Sequence, residues 1–453
     1  MDDLISFLRI PSISALPEHA GDVRRAAEFV RHWLEHAGLD NARLVEDTED
    51  TDSDRHVSNG AGNPLVCAES LHAPGKPTLL LYGHYDVQPP DPLNEWSSPP
   101  FEPVILDGNI YARGAADDKG QLFILMEAVA RCLRERGRTP VNVKFLIEGE
   151  EESGGEHLEK YVRSKPPGLE ADAVVICDTA MFAPDLPTLT TGLRGIVYGE
   201  IHVQGARSDL HSGDYGGAAP NAVEAAAQIV AALKDRDGHI RIPGLYDRVE
   251  KPAAAELAAW KSLPFDPEEY REKEIGSSAL TGEPEVPLFE RLWARPTLEI
   301  HGIRGGFTAE GAKTVIPARA VVKISLRLVP DQRPDEVVKQ LESAIAAAAP
   351  RGVTATFKLL SSAAPSMVDP GHPLIQKAAE AMRKVFGRET VYVRCGGSIP
   401  IVGLFKEALG IPSVLAGFGL PDDNIHAPNE KMSIANIQRG IDAMIEYFNL
   451  AGA

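Results

Sequence analysis

Three apolar runs constrain this chain more than any other feature: residues 78–82 (TLLLY), 141–147 (VNVKFLI) and 173–177 (AVVIC). Each has the length of a strand. Residues 119–136, between the first two, place apolar side chains at helical spacing, and a shorter helical stretch at 156–163 separates the second from the third. Strands that are apolar without alternation are buried on both faces, and strands alternating with helices run parallel. The expected fold class is therefore α/β, with a doubly wound sheet. Helical spacing also covers residues 4–8 and 22–37, the second closed by Gly38. Residues 47–63 are polar and turn-rich, which predicts a surface loop before a short strand near 65–69.

From about Gly192 the pattern changes. Residues 196–203 and 321–328 alternate as half-buried strands, and 219–233 and 335–348 read as helices. Strands with one exposed face beside two helices predict a smaller α+β domain. Residues 253–290 read as a charged helical insertion within it. After about Pro365 the first texture returns, with helical stretches at 373–386 and 434–448 and an apolar run at 412–418. A chain of 453 residues has room for two or three domains. The expected division is a catalytic domain in two parts, residues 1–190 and 366–453, interrupted by an inserted α+β domain at 191–365.

Charge limits the partners. Lys and Arg number 46 against 65 Asp and Glu, a formal charge of −19, which argues against nucleic acid and an anionic membrane as ligands. No apolar run approaches the ~18 residues of a membrane span. The opening residues, MDDLISFLRIPS, lack the basic and then apolar segments of a secretory signal, so the expected compartment is the cytoplasm. Cys67, Cys132, Cys177 and Cys395 are scattered without a Cys-x-x-Cys pair, against a disulfide framework or a thiolate zinc finger.

Polar residues gather just past the apolar runs. LLLYGHYD delivers His84 and Asp86, VKFLIEGEEE delivers Glu150, Glu151 and Glu152, and AVVICD delivers Asp178. SVLAGFG is followed by Asp422, Asp423 and His426, and Asp117 and Asp118 open the 119–136 helix. Ligands of open α/β sheets bind beyond the carboxyl ends of the strands. A lone histidine or acidic triplet at such a place is commonly a hydrogen-bonded or solvated group; five sets on one edge point to a shared role. Crowded carboxylates repel one another unless a cation neutralises them, and mixed His/Asp/Glu donors without Cys suit Zn²⁺ or Mn²⁺.

LLLYGHYDVQP, YARGAADDKG, EGEEESGG and IHAPNEK together resemble the di-metal aminoacyl peptidases of the carnosinase and glutamate-carboxypeptidase group, over residues 1 to about 450. DLHSGDYGG, GAKTVIP, ISLRLVP, GGSIP and LPFDPEEY bring the chain nearer the carnosinase and cytosolic nonspecific dipeptidase branch. The resemblance implies a phosphorylase/hydrolase-like zinc exopeptidase fold whose inserted domain is a lid and dimerisation domain. It implies two divalent ions per subunit, Zn²⁺ with Mn²⁺ as the alternative. One ion would be held by His84 and Asp178, the other by Glu152 and His426, with Asp117 bridging both. Asp86 would orient His84, and Glu151 would be the general base, with Glu150 the alternative. A dinuclear pair and an adjacent carboxylate agree with hydrolysis by an activated water.

In the inserted domain the same resemblance implies that His211 stabilises a tetrahedral oxyanion of the neighbouring subunit in a homodimer, and that Thr314 and Arg327 contact a substrate carboxylate. A guanidinium fork suits that group. Ser398, after Gly396 and Gly397, opens a helix, where backbone amides can receive an anion or the hydroxyl can simply cap. Two segments depart from the branch. LLSSAAPSMVDPG carries no histidine where the branch has a substrate-contacting one, and CDTAMF replaces its aromatic Asn-Tyr-Trp run. The expected activity is metal-dependent hydrolysis of dipeptides or short peptides with a free carboxylate. Its rivals are an N-acyl or N-succinyl amino-acid deacylase using the same metals and a non-catalytic binding protein on the same fold.

Overall fold

The computed structural model describes residues 1–46, 62–397 and 399–453, so most of the 47–63 loop and Ser398 lie outside the described residues. The chain divides into two compact units. One comprises residues 1–191, 368–393 and 404–453; the other comprises 192–367 and 394–403.

The first unit is built on a mixed sheet in the order Asp40–Val45, Leu65–Ser70, Asn142–Glu148, Thr78–His84, Ala173–Ile176, Ser413–Leu415, Thr188–Leu193. The four inner strands are parallel, as the unbroken apolar runs predict. Asp40–Val45, Leu65–Ser70 and Thr188–Leu193 add antiparallel pairs at the sides, so the sheet is not parallel throughout. The outermost of these, Asp40–Val45 (DNARLV), has no fully buried residue and no apolar run to announce it. Residues 79–84 are buried without a break, which requires cover on both faces. The helix Lys119–Arg136 supplies part of that cover; it ends at Gly137, whose φ of 70° is the left-handed conformation that glycine adopts without a Cβ clash. A small sheet, Val104–Leu106, Asn109–Tyr111 and Lys431–Ser433, pairs Lys431 with Tyr111. Two segments some 320 residues apart are thereby stapled together just before residues 112–117.

The second unit is α+β. Its sheet runs Thr297–Gly305, Arg319–Leu328, Gly195–Gln204, Thr354–Ala363, antiparallel throughout. Gly195–Gln204 buries alternate residues, as its sequence pattern requires. Val197, Ile201, Val322 and Ile324 pack in one core with Ile229 of the helix Ala222–Leu233 and Leu341 of Pro334–Ala348. Fully burying one such side chain contributes about 1.5–3 kcal/mol. Asn221 caps the first of these helices, its Oδ1 accepting from the N–H groups of Val223 and Glu224 at 3.0 and 3.2 Å. The 253–290 segment is broken into the short helices Ala254–Lys261, Pro267–Glu269, Tyr270–Ile275 and Leu288–Trp293.

Candidate active site

The strand Thr78–His84 ends in a fully buried histidine. His84 Nδ1 lies 3.1 Å from the Asp86 carbonyl oxygen and 3.3 Å from Asp86 Oδ1; its Nε2 lies 3.1 Å from Asp117 Oδ1. Asp86 is held in turn, Oδ2 accepting from Ser14 Oγ at 2.6 Å and from the Glu152 N–H at 3.1 Å. Burial works to lower the His84 pKa, but hydrogen bonds to Asp117 and Asp86 outweigh it and hold the ring well above the usual histidine range.

The other oxygen of Asp117, Oδ2, lies 2.9 Å from His426 Nε2, and that nitrogen is 3.3 Å from Glu152 Oε1. These partners raise His426 to about 10. Two triads of possible ligand atoms result, His84–Asp117–Asp178 and Asp117–Glu152–His426, each with its atoms within 4.8 Å of one another. Asp117 is common to both. Asp178 follows the strand Ala173–Ile176; burial, then the charges of Asp117 and Asp118, push its carboxyl well above the ordinary carboxylate range. Asp118 takes no part in either triad, its Oδ2 accepting the backbone N–H of His84 at 3.0 Å. Asp422 and Asp423 are also outside them: both accept from Lys431 Nζ at 3.0 Å.

The three consecutive glutamates have three different surroundings. Glu150 accepts from the backbone N–H groups of Asn63 at 2.5 Å and His157 at 3.2 Å. Glu152 Oε2 accepts from Gln88 Nε2 at 2.7 Å, while its Oε1 is buried and faces only His426 Nε2, at 3.3 Å. The carboxylate of Glu151 makes no hydrogen bond or ion pair with any described residue. Burial pushes Glu151 up to about 7; His84 opposes the rise, and Glu152, Asp117 and Asp86 add to it.

This donor set fits divalent cations. Asp117, Asp118, Glu151, Glu152 and Asp178 crowd around two imidazoles, an excess of negative charge that a cation offsets. Glu152 Oε1 is buried against the His426 imidazole at 3.3 Å and meets no closer donor among the described residues, the condition expected of a ligand atom. Imidazole and carboxylate donors without thiolate suit Zn²⁺ or Mn²⁺. Ser14 and Gln88, which lock Asp86 and Glu152, carried no signal in the sequence beyond being polar.

The second unit holds the other expected contact residues. The strand Leu210–His211 pairs antiparallel with Val315–Ile316, so His211 lies opposite Val315 and beside Thr314, whose carbonyl accepts from the Ser212 N–H at 3.1 Å. His211 Nδ1 accepts from the Gly213 N–H at 3.0 Å. That assigns the proton of the neutral ring to Nε2 and makes Nε2 a donor. The ring is 61% exposed. Arg327 sits in the strand Arg319–Leu328, opposite Thr297 and Ile196. Near it is Arg194, which sequence reasoning missed. Its Nε donates to the Gly396 carbonyl at 3.1 Å and its N–H to the Gly397 carbonyl at 3.0 Å. Burial, then the charge of Arg327, lowers Arg194 to about 10. Two guanidinium groups thus share one neighbourhood beside the glycines that precede Ser398; Ser398 itself lies outside the described residues.

Residues 80–449 match the model of peptidase family M20/M25/M40. The chain belongs to this family. The M20 chain is 34% identical to the human Beta-Ala-His dipeptidase over 85% of its length and 77% of that protein's. It is 32% identical to the Cys-Gly metallodipeptidase DUG1 of Saccharomyces cerevisiae, over 98% of this chain and 93% of the relative. The solved structure of the Saccharomyces cerevisiae di-peptidase Dug1p superposes with a TM-score of 0.85 at 30% identity, covering 100% of this chain and 95% of that one. The α/β class and the carnosinase and cytosolic dipeptidase branch expected from the motifs are thereby borne out.

Proposed function

We propose that this M20 metallopeptidase is a two-metal dipeptidase, cleaving the peptide bond of dipeptides or short peptides with a free carboxylate. The observation that carries the reading is Asp117: its two oxygens lie 3.1 and 2.9 Å from the Nε2 atoms of His84 and His426, so one carboxylate serves both triads. His84, Asp117 and Asp178 would hold one ion, and Asp117, Glu152 and His426 the other. Bound there, the ions would supply Lewis acidity toward a carbonyl and a water. Glu151, whose carboxylate has no protein partner among the described residues, takes the proton of the attacking water and returns it to the leaving amine. Asp86 fixes the tautomer and orientation of the His84 ring. Thr314 and Arg327 would contact the substrate carboxylate, and the Nε2 proton of His211 is suited to a developing oxyanion.

Dipeptide specificity is supported by the names of the relatives, which are dipeptidases of 32–34% identity. The test is to strip the protein with chelator, restore Zn²⁺ or Mn²⁺ and compare β-Ala-His and Cys-Gly with N-acetyl and N-succinyl amino acids. Metal-restored cleavage of the free dipeptides is expected; preferential cleavage of the acylated compounds would replace this reading with the deacylase. The same reading makes the protein a homodimer in which His211 serves the partner's centre.

A further inference from the structure

The loop that carries Asp117 is gripped by a single buried carboxylate. Glu430, four residues after His426, is fully buried and accepts four hydrogen bonds. Its Oε2 accepts from Arg113 Nη1 at 2.7 Å and the Gly114 N–H at 2.9 Å; its Oε1 accepts from the Ala116 N–H at 2.8 Å and the Asp117 N–H at 3.0 Å. The backbone carbonyl of Glu430 accepts from the Ala112 N–H at 3.1 Å as well. Three backbone N–H groups between 114 and 117 therefore converge on the Glu430 carboxylate, a nest of donors closed around an anion, and a fourth, from Ala112, holds its backbone carbonyl. Gly114, at φ 86°, makes the turn; a Cβ there would lie 2.8 Å from Val87 Cγ1. Arg113 is buried too, with its guanidinium 5.5 Å from the centroid of the Trp96 ring, and cancels the charge of Glu430.

We propose that Glu430 is a positioning residue of the centre: it fixes the Asp117 backbone and, through its own short tether to His426, sets the meeting of Asp117 with both histidines. The inference rests on the two-metal reading above. The Arg113–Glu430 pair adds rigidity without net charge, and the last donor in its series is the N–H of the shared ligand itself. Loosening it disturbs both ions at once, because Asp117 belongs to both triads.

The test measures Zn²⁺ content and affinity in chelator-buffered equilibrium dialysis, with thermal unfolding of the metal-free proteins alongside. Wild type should hold two ions. Glu430→Gln turns an acceptor into an amide that faces N–H donors, and should bind both ions roughly 10–100-fold more weakly, the usual effect of losing a partner behind a ligand. Phe448→Leu, a truncation of a buried ring in the C-terminal helix, is the stability control and should keep wild-type affinity despite a lower Tm. If E430Q does not fold, E430Q/R113M removes the unpaired buried cation and should show the same metal loss. Wild-type affinity in the Glu430 variant, beside a wild type that holds two ions, would overturn the inference alone. So would an equal loss in F448L, which would tie affinity to stability. A wild type that holds no Zn²⁺ would overturn the two-metal reading and this inference with it.

Discussion

Glu150, Glu151 and Glu152 are chemically identical neighbours, and the turn after the strand Asn142–Glu148 gives each a different set of partners. The partners define the variants. Glu151→Gln keeps the size and polarity of the side chain without its basicity; it should retain normal Zn²⁺ content while kcat falls roughly 10²–10⁴-fold. Glu152→Gln should instead lower metal content, which elemental analysis reads directly. The reversed pattern would exchange the two roles. The Glu150 alternative weakens for a physical reason: its oxygens already close two backbone N–H groups. Gly417 shows how tightly the walls are built, since a Cβ there would lie 1.7 Å from the Thr179 carbonyl oxygen, one residue from Asp178. Gly417→Ala should cost about 1–3 kcal/mol, the range for overpacking a filled site, as read by urea unfolding.

Among the elements, the C-terminal helix Ile434–Gly452 packs along Lys119–Arg136 and Pro373–Phe386 and buries Tyr447 completely. The Tyr447 hydroxyl has no hydrogen-bond partner among the described residues, and burial pushes its pKa upward. A phenol whose folded pKa lies above its unfolded value of about 10 contributes its full share of stability below pH 10 and loses it as pH rises further. Tyr447→Phe removes both the unpaired hydroxyl and the titration. It should raise unfolding free energy by about 1 kcal/mol at neutral pH and flatten the decline of stability above pH 10. A destabilised variant in denaturant melts at both pH values would show that the hydroxyl has a partner in solution. The parallel strands behaved as their composition dictates, because burial on both faces leaves an unbroken apolar run. Edge strands such as Asp40–Val45 and Thr354–Ala363 did not announce themselves, since an exposed edge needs no apolar pattern.

For the whole molecule, the proposed dimer makes a prediction that either outcome decides. His211 is exposed on the second unit, while every ligand atom of the two triads belongs to the first. Glu151→Gln and His211→Ala should each be inactive alone. Mixed under conditions of verified subunit exchange, half the dimers are hybrids. If His211 acts on the partner's centre, each hybrid has one intact site, and activity returns to roughly a quarter of wild type by symmetry. Mixtures that stay inactive would place His211 in service of its own chain. No described helix is long and apolar enough to cross a membrane, in keeping with the hydropathy of the sequence.

Read along the chain, the apolar runs determine the parallel core of the sheet, and the polar residues that follow each run determine which groups are available to the centre. His84, Glu152, Asp178 and His426 stand out in the sequence as polar residues after apolar runs, and Asp117 as an acid at the start of a helix; the resemblance, not the runs, singles them out as ligands, and the structure brings their atoms into two triads. Three things belong to the tertiary structure alone. Which of three adjacent glutamates stays unpartnered depends on the local N–H of His157 and on donors from Asn63 and Gln88, distant in sequence. The approach of Arg194 to Arg327 depends on the close packing of a strand start and a separate strand. And the grip of Glu430 on residues 112–117 exists only because the pairing of Lys431 with Tyr111 closes a gap of 320 residues. Local composition chooses a side chain's chemistry; hydrogen bonds between segments remote in the chain choose its partner, and with it its role.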